Sequence, residues 1–189
     1  MLSTMKALRT EEEYVPVMTA METMFGPVFF APDMQAPDIW TPRVVLIRRL
    51  LDQARADGRE NDLEPMLWET IYGYWQLRLG NFIEAEQALG ASRARWEALK
   101  PGDPWLFGIE ALQASLEAKK SMRETGPERT SGMQAAADRL EQLPEYELKR
   151  TGKLVQQLVF TTKAELYGID GLNKAHLANL ARAALRNLK

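Results

Sequence analysis

Apolar residues recur at spacings of three and four along most of this chain, the period of helices that bury one face. The clearest run follows Thr41-Pro42, a capping residue and then the residue best tolerated at a first helical position. Val44, Ile47, Leu50, Leu51 and Ala54 hold helical spacing after it, and Gly58 closes the run. Asp62 caps a second helix with Pro65 in its first turn, which continues to Leu79 before Gly80. A third helix runs on to about Leu99 and stops at KPGDP. The pattern predicts a fourth from Pro104 or Trp105 to about Glu124, a loop over TGPERTSG, and a fifth over 132–143 ending near Pro144. A sixth covers about 145–167 before Gly168, and a seventh starts at Leu172. β-branched residues are scattered within these patterns and no hairpin dipeptide separates alternating runs, so the expected class is all-α. Short loops imply that consecutive helices pack antiparallel.

Residues 1–41 differ in character from 42–189. Thr10 with Glu11, Glu12 and Glu13 has the form of a capping box, which places a helix over about 11–24 with Pro16 kinking or restarting it. Gly26 to Pro42, GPVFFAPDMQAPDIWTP, holds four prolines and is expected to be irregular. Its Phe29, Phe30 and Trp40 would pin such a loop to the body or form an arm that docks on a partner. The organisation expected is an N-terminal helix with a Pro- and aromatic-rich loop, then one helical domain from residue 42.

An internal period sharpens this. Phe82, Ala85, Leu89 and Ser92 occupy the same relative offsets as Met133, Ala136, Leu140 and Leu143. Tyr72-Gly73 and Phe107-Gly108 are aromatic-glycine pairs in the preceding helices. A glycine inside a helix costs about 1 kcal/mol relative to alanine, so two at corresponding places imply a packing reason. Leu67 to Trp96, LWETIYGYWQLRLGNFIEAEQALGASRARW, resembles a tetratricopeptide repeat. Gly73 matches the first-helix glycine of that motif, Gly80-Asn81-Phe82 its Gly-Asp-Tyr turn, and Ala85 its second-helix alanine. Ser92 departs from a usual alanine, and Pro101 comes later than the closing proline. A second unit, 104–144, follows the pattern with an enlarged turn, and a third, 145–189, follows it only at Gly171, Leu172 and Ala175, with Asn179 where a large apolar residue belongs. The resemblance implies antiparallel helical hairpins stacked as a right-handed solenoid of about seven or eight helices. Such units bury their apolar faces only against neighbours.

Composition narrows the chemistry. There are 189 residues, no cysteine and a formal charge of -2, so thiolate metal sites and cysteine nucleophiles are excluded and polyanions are not generally attracted. No run approaches a membrane span and the start lacks a secretory pattern, so a cytoplasmic location is expected. His176 is the only histidine, which rules out paired-histidine metal motifs, and no phosphate-cradling or nucleophile-elbow glycine motif is present. No cofactor and no enzymatic activity are expected.

A nucleic-acid reading would rest on Arg48, Arg49, Arg55 and Arg59 with the basic C-terminal residues Lys174, Arg182, Arg186 and Lys189. Asp52, Asp57 and Glu60 interrupt the first group, which therefore reads as a solvated mixed-charge face. In tetratricopeptide arrays the first helix of each pair lines the concave groove, which would present Trp68, Glu69, Tyr72 and Gln76 to a bound peptide. The expected function is protein–protein interaction, as an adaptor, assembly factor or secretion-type chaperone holding a peptide or helix of another protein, with self-association open. The alternatives are a helical small-molecule binder or enzyme, and a nucleic-acid-binding module using the C-terminal helix.

Overall fold

The computed structural model describes residues 37–144, 153–169, 171–177 and 179. Six helices carry this part of the chain: α1 (Pro37–Ala56), α2 (Leu63–Leu79), α3 (Phe82–Leu99), α4 (Trp105–Ser121), α5 (Gly126–Glu141) and α6 (Lys153–Tyr167). A further helical stretch covers 171–177 and 179. Among the described residues there is no strand, so the chain is all-α, and no helix is long and apolar enough to cross a membrane. The helix expected over 11–24 and the aromatics Phe29 and Phe30 lie outside the described residues.

Two boundaries differ from the sequence expectation. Helix α1 begins at Pro37 rather than after Thr41, so Trp40 belongs to its backbone and Pro42 lies inside it. A proline near a helix start forfeits only one hydrogen bond, and Pro37 at the first position forfeits none. Helix α5 likewise begins at Gly126, which makes TGPERTSG its first two turns instead of a loop. Pro127 stands at the start of α5 with Glu128 in the first turn, an arrangement that favours initiation.

The chain divides into two compact units, Met1–Asp103 and Pro104–Lys189. In the first, α2 packs against both α1 and α3. Leu67, Ile71 and Trp75 of α2 are buried, as are Ile47 and Leu51 of α1 and Ala85, Leu89 and Trp96 of α3. Full burial of each large apolar side chain stabilises by about 1.5 to 3 kcal/mol. Gly80 ends α2 in the left-handed region, φ 78° and ψ 13°, and its amide turns back to the carbonyls of Gln76 and Leu77. Asn81 then separates α2 from α3, and so short a turn forces the two helices antiparallel. The register is fixed by Gly73 against Leu89, Thr70 Oγ1 to Ser92 Oγ at 2.7 Å, and Glu69 to Arg95 at 2.9 Å. Asp62 occupies the cap position of α2, but its carboxylate accepts from Arg59 Nε at 2.8 Å instead of capping.

In the second unit α4 packs against α5 and α6. Met133, Ala136, Leu140 and Leu143 are all buried, as their repeated offsets imply. Gly108, however, meets Leu158 of α6, whereas Gly73 meets the second helix of its own hairpin. The two aromatic-glycine pairs thus serve close packing against different neighbours. Gly171 abuts Met133, and Asn179 accepts from Gln134 at 2.7 Å and donates to Asp138 at 2.6 Å. Asn179 is polar where an apolar residue was expected because it closes this ladder along α5. His176 pairs with Glu141 through Nδ1 at 2.9 Å and stacks on Tyr167 with ring centroids 4.5 Å apart.

Candidate functional site: a cleft on three helices

In the first unit α1, α2 and α3 enclose an open cleft of about 430 Å³. Helical spacing builds each wall. Arg48, Leu51 and Arg55 lie three and four apart on α1, and Glu69 and Tyr72 lie three apart on α2. Glu84, Gln87, Ala88 and Ala91 repeat the same spacing on α3. Arg48, Glu84, Gln87 and Ala91 are exposed, while Leu51, Glu69 and Ala88 are buried, so the cleft has a wet rim and a closed floor.

Glu69 is the charged group of that floor. Its side chain is 3% exposed, with Oε2 accepting from Arg95 Nη1 at 2.9 Å and Oε1 within 3.5 Å of Arg55 Nη2. Arg55 also holds Asp52 at 3.2 Å. One carboxylate therefore ties α1 and α3 to α2. Burial pushes the Glu69 carboxyl above its ordinary value, and the Arg95 and Arg55 guanidiniums oppose that shift without overcoming it.

Tyr72 is set by a second polar chain. Asn81 Nδ2 donates to Gln76 Oε1 at 2.8 Å, and Gln76 Nε2 donates to the Tyr72 hydroxyl at 2.7 Å. Asn81 follows the helix end at Gly80, so the turn between α2 and α3 also fixes an aromatic side chain two turns earlier.

The four α2 residues singled out from sequence separate into different roles. Glu69 and Tyr72 line the cleft together. Gln76 is buried and acts on Tyr72 from behind, and Trp68, half-buried, is not among the lining residues. Phe29 and Phe30 lie outside the described residues, as does the side chain of Trp40. Sequence reasoning missed the contributions of α1 and α3. Arg48 and Arg55 were read as a solvated face, although Leu51 between them in the same helical register was the signal that this face meets the body. Glu84, Gln87 and Ala91 carried no signal beyond their spacing.

Among the described residues no group of three or more His, Cys, Asp or Glu side chains is placed to hold a metal ion. The chain matches no protein-family model, no curated protein and no solved structure.

Proposed function

We propose that this chain is a protein-interaction module of tetratricopeptide-like design whose cleft on α1, α2 and α3 receives a segment of another protein. The observation that carries the reading is the make-up of the cleft: charged and amide side chains on an exposed rim, with Ala88 and Ala91 side by side on one wall. Small side chains let a partner's backbone approach closely, and rim polar groups supply hydrogen bonds that select and orient it. Small-molecule sites are more enclosed and predominantly apolar. Support for the tetratricopeptide-like design comes from the α2–α3 hairpin, where Gly73, Gly80, Ala85 and Leu89 take the packing and turning roles that the resemblance implies.

A photo-crosslinking amino acid at Gln87 tests the proposal in cell extract. A discrete adduct with another protein is expected there, and Ala91→Trp, which fills the cleft, should abolish it. The same crosslinker at exposed Glu128 on α5 serves as the control. Equal adducts from both positions, or an adduct indifferent to Ala91→Trp, would remove the cleft from consideration.

A further inference from the structure

We infer that the segment received by this cleft is acidic, with an aspartate or glutamate side chain held between the Arg48 guanidinium and the Tyr72 hydroxyl. The inference rests on the interaction-module reading above and specifies the chemistry of its partner.

Hydrogen-bond direction at Tyr72 is the first ground. Asn81 Nδ2 donates to Gln76 Oε1, which leaves the Gln76 amide nitrogen to face Tyr72 and donate to its oxygen. A phenol carries one proton and accepts through its oxygen, so with the acceptor side engaged the proton is left to be donated. No acceptor within the protein takes it among the described residues, and Tyr72 lines the cleft. A hydroxyl that already accepts a bond is polarised into a better donor. Gln76 is 5% exposed, so bulk water does not compete for its amide.

The second ground is the placement of cations. Arg48 and Arg55 are seven residues apart, two turns of α1, or about 10 Å along its axis. Arg55 meets Glu69, and the connection after α1 returns α2 alongside it, so Tyr72, one turn beyond Glu69, lies toward the Arg48 end of the same cleft. Arg48 is exposed and makes no ion pair or hydrogen bond among the described residues, leaving its planar fork of N–H groups free for a carboxylate. At the other end Arg55 and Arg95 are matched by Glu69 and Asp52, so that cluster is already neutralised and Arg48 is the cation left for a partner.

The remaining acid, Glu84, stands on the α3 wall. It repels a carboxylate from that side and directs it to the α1–α2 wall, where the free donors are. Glu84 also disfavours a continuous polyphosphate backbone along the cleft, which makes a protein segment with spaced acids the better fit.

A library of random twelve-residue peptides displayed against the full chain tests this. Selected peptides are expected to share Asp or Glu at a fixed position and to compete for Ala91→Trp-sensitive binding. Arg48→Glu should weaken a selected peptide at least tenfold and Tyr72→Phe several-fold, with binding falling as salt rises and the helical circular dichroism unchanged. Selected peptides that need an open cleft but lack a shared acid, or carry Lys or Arg in its place, would overturn the acidic assignment and leave the module reading standing. Failure to select any peptide sensitive to Ala91→Trp would overturn both. Displacement of a selected peptide by equimolar succinate or inorganic phosphate would assign the site to a small anion and overturn the peptide occupant.

Discussion

A β-carbon on Gly73 would come within 2.8 Å of Leu89 Cγ and 3.3 Å of the Leu89 backbone nitrogen, so α2 and α3 meet there more closely than any other residue allows. Leu89 is fully buried and has little room to move. Gly73→Ala would gain about 1 kcal/mol of helix propensity but overpack the interface by about 1 to 3 kcal/mol. The expected net result is a loss of about 1 kcal/mol, read as a lower urea midpoint at unchanged slope. Gly90, also helical, has nothing within 4 Å of an added β-carbon. Gly90→Ala should therefore stabilise by about 0.5 to 1 kcal/mol. Equal effects at both positions would show that the close approach is not why Gly73 is glycine.

Gly80 is held at φ 78°, a conformation that strains any residue with a β-carbon. Gly80→Ala should cost about 1 to 2 kcal/mol, and Gly80→Asn less, because asparagine tolerates the left-handed region. Thermal melts of the two variants rank them. An alanine variant as stable as the parent would mean that the turn can be rebuilt without the left-handed residue.

Ser92 departs from the alanine expected by the repeat because Thr70 lies opposite, with the two hydroxyl oxygens 2.7 Å apart and both residues buried. Thr70 Oγ1 also reaches the Met66 carbonyl at 3.4 Å, within its own helix. Ser92→Ala or Thr70→Val alone should cost about 1 kcal/mol, as expected for one lost hydrogen bond. The double variant should cost less than the two single effects added together, by at least 0.5 kcal/mol. Strict additivity in that cycle would remove the hydroxyl pair as the reason for Ser92.

The buried Glu69 carboxyl has a pH signature. Its folded-state affinity for a proton is raised above the ordinary 4.5, chiefly by desolvation, so the folded protein retains this proton where the unfolded chain has released it. Stability from this group is complete below the unfolded value and is lost as pH rises through the folded one. Glu64, also raised by burial, acts in the same direction and is common to parent and variant. Glu69→Gln mimics the neutral form. Its stability relative to the parent should rise between pH 4 and pH 7 in paired urea titrations, and a constant difference would show that the two arginines fully offset the burial.

Much of the fold was legible because α2, α3 and α4 carry their boundaries in the chain: Asp62 and Gly80, Asn81 and KPGDP, Pro104 and the break before Gly126. Prolines were the main source of error. Pro37 and Pro127 fall in stretches expected to be irregular and Thr41-Pro42 marks a helix start that comes too late, yet in the first turns of a helix a proline forfeits at most one hydrogen bond. The cleft was half legible. Glu69 and Tyr72 followed from their place on the first helix of a hairpin, but the opposing walls depend on which faces of α1 and α3 the packing leaves open. Periodicity alone does not distinguish a charged face on bulk water from one that overlooks a cleft, so Arg48 and Arg55 looked like ordinary surface. Gln76 looked like a contact residue because it shares a helix side with Tyr72, and only the hydrogen bond from Asn81 reveals that it works from the interior.

The differing partners of Gly73 and Gly108 give the two units different folding schedules. Leu89 emerges from the ribosome soon after Gly73, so α1, α2 and α3 have every packing partner described for them once residue 99 has been synthesised. Gly108 must wait for Leu158, with all of α5 made in between, before α4 closes against α6. Contacts between distant positions close more slowly than local ones. During synthesis the half that carries the cleft is thus ready first, while the face of α4 around Gly108 stays uncovered until the later helix arrives.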